Sequence, residues 1–241
     1  MRRYAIIAIF NILAAATSGH AGDEHYVLIF GSQQIPNRAE YSHTFATFVH
    51  VSWPGDGPRP SDAQIESRTV SWLPETGKCR LYALFSECGR NFGLLETMEW
   101  CRCNDMRISL WGPYRCCPDL YQRGMRQTNL LESGKVRYKA FDSGHHPDDV
   151  SNCIHAASSL MSGFRLRVLQ PGWGETAAFH VVRRYEPEIT DREPTPWVAS
   201  ALGLDRYLMI RRDWKLPNSG LFGPVYRGFG GERNLQATFG P

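Results

Sequence analysis

The sequence predicts an α+β fold, a mainly antiparallel sheet packed with a few helices and interrupted by a disulfide-rich insertion. Three observations predict it. Short β-rich or alternating apolar segments follow one another early in the chain, separated by turn-forming residues. Apolar residues at helical spacing come later, after Pro118 and around Cys153. Six of the seven cysteines, Cys79 to Cys117, fall within 39 residues.

Taken in order, HYVLIFGSQ (25–33) is a β-rich run closed by a turn signal, and SHTFATFVHV (42–51) alternates as a strand does. The period of two puts His43 with Phe45 and Val49, and His50 with Phe48 on the other face. WPGDGPRPSD (53–62) is a loop by its Pro, Gly and Asp content, and ESRTVSWLP (66–74) is a third strand ended by Pro74. Residues 75–106 have little periodicity and read as an irregular, cross-linked excursion with one short helix near 94–100. RISLWGPY (107–114) is the next strand, with Trp111 and Tyr114 as core residues. In CPDLYQRGMRQTNLLESG, Pro118 suits a first helical turn and Gly134 a stop, with Leu120, Tyr121 and Met125 at helical spacing.

KVRYKAFD (135–142) alternates as a half-exposed strand. Beyond it, Asp148, Asp149, Ser151 and Asn152 are helix-capping types that place Cys153 in the first turn of a helix closed by Gly163. FRLRVLQ (164–170) and AAFHVVRRY (177–185) read as two strands joined by the turn PGWGET, and TPWVASALGLDRY (195–207) as a helix opening on Pro196. Residues 22–214 then form one domain, with its Cys-rich excursion at 75–117. The Gly-rich tail 215–241 is expected to be extended or disordered, with no chemistry assigned.

Residues 1–21 have the pattern of a secretory signal peptide: Arg2 and Arg3, an apolar run from Tyr4 to Ala16, then small residues. The run is shorter than the roughly 20 residues that span a bilayer, and no later segment is long and apolar enough to span one. Cleavage after Ala21 would leave 25 Lys+Arg (27 less Arg2 and Arg3) against 24 Asp+Glu. A net charge near +1 argues against a nucleic-acid partner, which calls for a basic excess on one face. The local cluster Arg183, Arg184, Arg206, Arg211 and Arg212 is read as a solvated surface.

In an exported chain the cluster of six cysteines suggests up to three disulfides, in any of fifteen pairings. Zinc is the second choice for them, since Cys101, Cys103, Cys116 and Cys117 lack the paired spacing of a zinc ribbon. No metal centre or cofactor is assigned; His145 and His146 with Asp148 and Asp149 offer at most a surface ion site. A redox role ranks last, there being no CxxC.

The seventh cysteine carries the chemistry. A thiol attacks as thiolate, and its pKa falls at a helix start or beside an imidazolium. Cys153 meets the first condition, and His43, on an alternating strand, is the candidate for the second. His155 lies only two residues on, a spacing that turns it away in a helix. The order of HTFATFVHV, ESRTVSWLP, VRYKAFD and SNCIHA resembles the circularly permuted branch of the papain-like superfamily, which includes the lecithin retinol acyltransferase type and runs histidine first, ending on a helix that opens with Asn-Cys. It is also similar to an exported bacterial domain of unassigned function with the same order. The resemblance covers about 41–161 and implies Cys153 as nucleophile and His43 as general base; Asn152, beside the nucleophile, is assigned an oxyanion or orienting role. For the third, orienting residue the neighbouring strand offers Glu66, Ser67, Thr69 and Ser71, with Glu66 preferred for its charge.

Two readings follow. The first is an exported cysteine-dependent hydrolase or acyltransferase that forms an acyl-thioester on an amide or ester substrate, for instance a cell-envelope component. The alternative is a non-catalytic exported binding or structural module on the same scaffold, in which Cys153 is a buried core residue and His43 a satisfied one.

Overall fold

Strands β1 (Gly22–Gln33) and β2 (Ser42–Trp53) pair antiparallel along their full lengths, from Gly22 opposite Trp53 to Gln33 opposite Ser42. In the computed structural model of the chain, residues 22–55, 57–141, 149–161, 166–168, 173–214 and 225–227 are described. The leader lies outside them.

This pair is the spine of a seven-stranded sheet. β3 (Gln64–Val70) runs beside β2, and β6 (Arg107–Cys116) beside β1. Beyond β6 come β10 (Leu208–Arg211) and β11 (Val225–Arg227), and β9 (Ile189–Asp191) also pairs with β6. All these pairings are antiparallel except β6 with β10. A smaller sheet holds β4 (Trp72–Pro74), β5 (Glu87–Asn91), β7 (Arg137–Tyr138) and β8 (Val150–Ser151) in that order. The α+β class expected from the sequence is observed.

The strand period of two divides the core. On one face Val27 and Ile29 of β1 and Ala46 and Phe48 of β2 pack under three helices. These are α2 (Pro118–Glu132), α3 (Cys153–Ser158) and α4 (Glu175–Tyr185). On the other face Leu28, Phe30, Phe45 and Val49 pack against α1 (Leu94–Cys103) and α5 (Pro196–Ala201). Phe30 and Phe45, opposite each other in the register, stack at 4.5 Å. Trp111 and Tyr114 are buried, as expected.

Several elements differ from the sequence expectation. AAFHVVRRY belongs to α4, and the reason is its burial spacing. Ala177, Ala178, Val181, Val182 and Tyr185 are fully buried at a helical period, which outweighs the β preference of its paired valines. Of FRLRVLQ only 166–168 are described, without regular structure. The third strand is two, because the chain leaves the large sheet at Ser71 and enters the small one as β4. The excursion at 75–106 contains β5 as well as α1. The strand expected over 135–142 is reduced to Arg137–Tyr138, and α3 stops at Ser158, short of Gly163. The last expected helix ends at Ala201; Gly203 at φ +71° turns the chain toward β10. The part of the glycine-rich tail that is described, β11, adds an edge strand to the domain's own sheet.

The cysteine cluster is not cross-linked: all seven cysteines are free thiols. The fold disperses them. Cys101 is buried under β1, where its thiol donates to Ser32 Oγ at 3.3 Å, while Cys103, two positions on along α1, is exposed. Cys79 accepts from the Tyr138 hydroxyl at 3.4 Å, and Cys117 donates to Glu188 Oε2 at 2.6 Å. Arg212, expected on a solvated surface, joins Arg107 on the buried carboxylate of Glu175.

Candidate functional site

Cys153 opens α3 as expected, with Asn152 at the N-cap. The Asn152 Oδ1 accepts the His155 backbone N–H at 2.9 Å, and its Nδ2 donates to the Ala140 carbonyl at 3.2 Å. Both ends of that amide therefore hold the backbone. One Nδ2–H is thus directed at the Ala140 carbonyl, and the side chain orients the backbone at the helix start. α3 has six residues, too short to carry a substantial helix dipole toward the sulfur.

The thiol lines a cleft shared with Ser42, Tyr138, Asn152 and Trp173, about 10 Å³ in free volume, the size of one water. Tyr138 is fully buried behind it, and burial holds its hydroxyl well above the usual tyrosine range, with the Cys79 and Cys153 sulfurs adding to the effect. Burial likewise pushes the Cys79 thiol up to about 12. Tyr138 and Cys79 are thus neutral at physiological pH.

His43 is not in this cleft. It shares a face with Phe45, on which its ring stacks at 5.3 Å, and its edge meets Trp100 of α1 at 5.7 Å. α3 packs on the opposite face, with Ala156 and Ala157 in the cluster that holds Ala46 and Phe48. The sheet therefore stands between the imidazole and Cys153, and the expected dyad is not assembled.

The histidine is instead part of a closed polar chain. Its Nε2 lies 2.9 Å from Ser71 Oγ, and Thr97 Oγ1 lies 2.8 Å from Ser71 Oγ and 2.9 Å from the Gly93 carbonyl oxygen. A carbonyl can only accept. Thr97 Oγ1 donates toward Ser71 Oγ and the Gly93 carbonyl, and the direction of the His43–Ser71 bond follows the imidazole tautomer. His43 Nδ1 has no hydrogen-bond partner among the described residues. Burial lowers the His43 pKa to about 3, so it is a poor proton acceptor. His43 and Ser71 are both 0 % exposed, which leaves no approach for a substrate to this Ser–His pair either.

Glu66 is placed elsewhere again. It is exposed on β3, directly opposite His50. His50 is seven residues along β2 from His43, about 23 Å at strand rise. A carboxylate there cannot orient His43; of the four residues offered by the neighbouring strand, Ser71 is the one that touches it. His145, His146 and Asp148 lie outside the described residues.

Beside the cleft the sequence reading missed an aromatic ridge. Tyr82, on the loop between β4 and β5, stacks on Phe141 at 6.4 Å, and Phe141 meets Trp173 at 5.1 Å on the cleft wall. The motif LYALF (81–85) within the cysteine-rich stretch is the signal that could have pointed to it.

Comparison with protein-family models, with curated proteins and with solved structures finds no match for this chain. No relative decides between the two readings. The geometry of the chain itself has to do so.

Proposed function

We propose that this chain is an exported, non-catalytic module that binds an anionic lipid surface of the cell envelope through the loop at 79–86. One observation carries the reading: Tyr82, Leu84 and Phe85 are 83 %, 84 % and 83 % exposed within four residues. Large apolar side chains gathered on a surface mark an interaction site, since leaving them in water is costly. The loop is held in place from below, with Lys139 Nζ donating to the Leu84 carbonyl at 3.2 Å and Arg137 Nη2 to the Ser86 carbonyl at 2.9 Å. Exposed Lys78 and Arg80 lie beside and within it, and exposed Arg137 holds its Ser86 end. Apolar side chains accompanied by cations suit a layer with anionic headgroups and an acyl interior.

Export rests on the leader pattern of residues 1–21. The non-catalytic part of the reading rests on His43, whose separation from Cys153 and low proton affinity remove the expected base. Among the described residues, no helix is long and apolar enough to cross a membrane, so attachment would be peripheral.

The test is co-sedimentation of the chain with phosphatidylglycerol vesicles and with phosphatidylcholine vesicles. Binding to the first, weakened by salt and by a Tyr82→Ser, Phe85→Ser double variant, supports the reading. Failure to sediment with either sinks it, and a protein partner on the same ridge becomes the better account.

A second reading is favoured by one observation, the place of Cys153 on the cleft to which the ridge leads. On a permuted papain-like scaffold the sulfur would attack an ester or amide carbonyl carbon. The leaving alcohol or amine would depart with a proton, and water would then release the acid. That cycle needs a base other than His43.

A further inference from the structure

Asp23, His25 and His50 meet at the end of the β1–β2 pair remote from Cys153. The register sets His25 directly opposite His50, and Asp23, two residues before His25, shares its face. The two imidazoles stack with centroids 4.8 Å apart and planes 9° from parallel. Asp23 reaches both: Oδ1 contacts His50 Nε2, and Oδ2 lies 3.9 Å from His25 Nδ1. Donor atoms from the three residues all fall within 4.8 Å of one another.

We infer that Asp23, His25 and His50 form a binding site for a divalent first-row transition-metal ion, with zinc as the first species to test. The donor set decides the class. Two imidazole nitrogens and one carboxylate oxygen suit zinc and its neighbours, whereas calcium and magnesium call for oxygen ligands throughout. Three protein ligands leave at least one coordination position for water or another ligand.

The support around the three is that of a fixed site. His25 is 6 % exposed, and the Tyr121 ring of α2 tilts against His25 at 5.1 Å and His50 at 5.5 Å. Two ligands stand on adjacent hydrogen-bonded strands, whose spacing is set by the sheet. The open side is outward, where the side chains of His50 and Asp23 are 26 % and 49 % exposed. Glu66, opposite His50 on β3, adds a carboxylate at the rim. The sequence alone predicts no metal centre here because the ligands are 25 residues apart along the chain and meet only through the register.

The test is titration of the full chain with Zn²⁺ by calorimetry and with Co²⁺ by visible absorption. One equivalent bound, with a cobalt spectrum lacking thiolate charge-transfer bands, is the expected result. Asp23→Asn and His50→Gln should each weaken binding at least about tenfold, the loss that even removal of an outer-shell partner brings, with circular dichroism unchanged. A His145→Ala, His146→Ala variant should bind like the parent. Absence of binding, full affinity in the Asp23→Asn, His50→Gln double variant, or a thiolate band from the cysteines would each overturn the inference.

Discussion

His43 Nε2 lies 2.9 Å from Ser71 Oγ in a site closed to solvent, and this contact explains why the expected catalytic histidine is a strut instead. It ties β2 to α1 through Thr97. Protonating the ring would place a charge between Phe45 and Trp100, with no counter-ion beside it among the described residues.

That burial has a pH signature. The His43 pKa falls from the ordinary 6.5 to about 3 in the fold, so the unfolded chain takes up its proton first as the solution is acidified. The contribution of His43 to stability is full above about pH 6.5 and declines by about 1.4 kcal/mol per pH unit down to about pH 3. Urea unfolding followed from pH 7 to pH 4 should show this slope. His43→Gln should make it shallower by about one proton's worth, and an unchanged slope would mean that His43 is protonated in the fold.

Glu175 should be the costliest surface-proximal charge to remove. At the start of α4 it accepts from Arg107 Nε and Nη2 at 2.7 Å, from Ser109 Oγ at 2.7 Å and from Arg212 Nη2 at 2.9 Å. Its side chain is 5 % exposed and those of the two arginines 17 % and 11 %. Glu175→Ala leaves two guanidinium groups without their anion and should cost about 3–5 kcal/mol by urea unfolding. Adding Arg107→Met should recover part of the loss.

Gly31 allows α4 to lie on β1. A Cβ at this position would sit 2.7 Å from Glu175 Cα and 2.9 Å from Ala178 Cβ. The obstructing atom includes backbone, so the helix itself must move. Gly31→Ala should destabilise by about 1–3 kcal/mol and lower Tm by roughly 2–4 °C per kcal/mol for a domain of this size. An unchanged Tm would show that α4 is free to ride outward.

The ridge should separate binding from stability. Tyr82→Ser and Phe85→Ser remove exposed side chains and should change unfolding free energy by no more than about 0.5 kcal/mol. Each should weaken vesicle binding by about tenfold, which corresponds to about 1.4 kcal/mol per side chain. Loss of stability instead would make the loop a structural element.

Alkylation rates distinguish the two readings of Cys153. Cys88 and Cys103 are exposed, whereas Cys153 is 9 % exposed, so iodoacetamide should label the former two well before Cys153, as mass spectrometry would show. Fast, selective labelling of Cys153 would favour the thiol-enzyme reading.

Much of the fold is legible in the chain because alternation and helical spacing are local. β1, β2, β6 and α2 follow from them, as does the assignment of His43 and His50 to opposite faces of β2. α4 is not legible in this way: paired valines favour a strand locally, and burial against β1 decides for a helix. Cys153 at a helix start is legible from Asn152, whose capping chemistry is also local.

By itself, then, the sequence determined the α+β class, the principal strands and the helix that Cys153 opens. Tertiary structure decided which reactive side chains meet. It put the sheet between His43 and Cys153, gave His43 to Ser71, and brought His25 opposite His50 beside Asp23. The physical reason is that a period of two fixes which face a side chain takes, whereas strand register and helix placement fix what waits on that face, and these depend on packing across the whole domain.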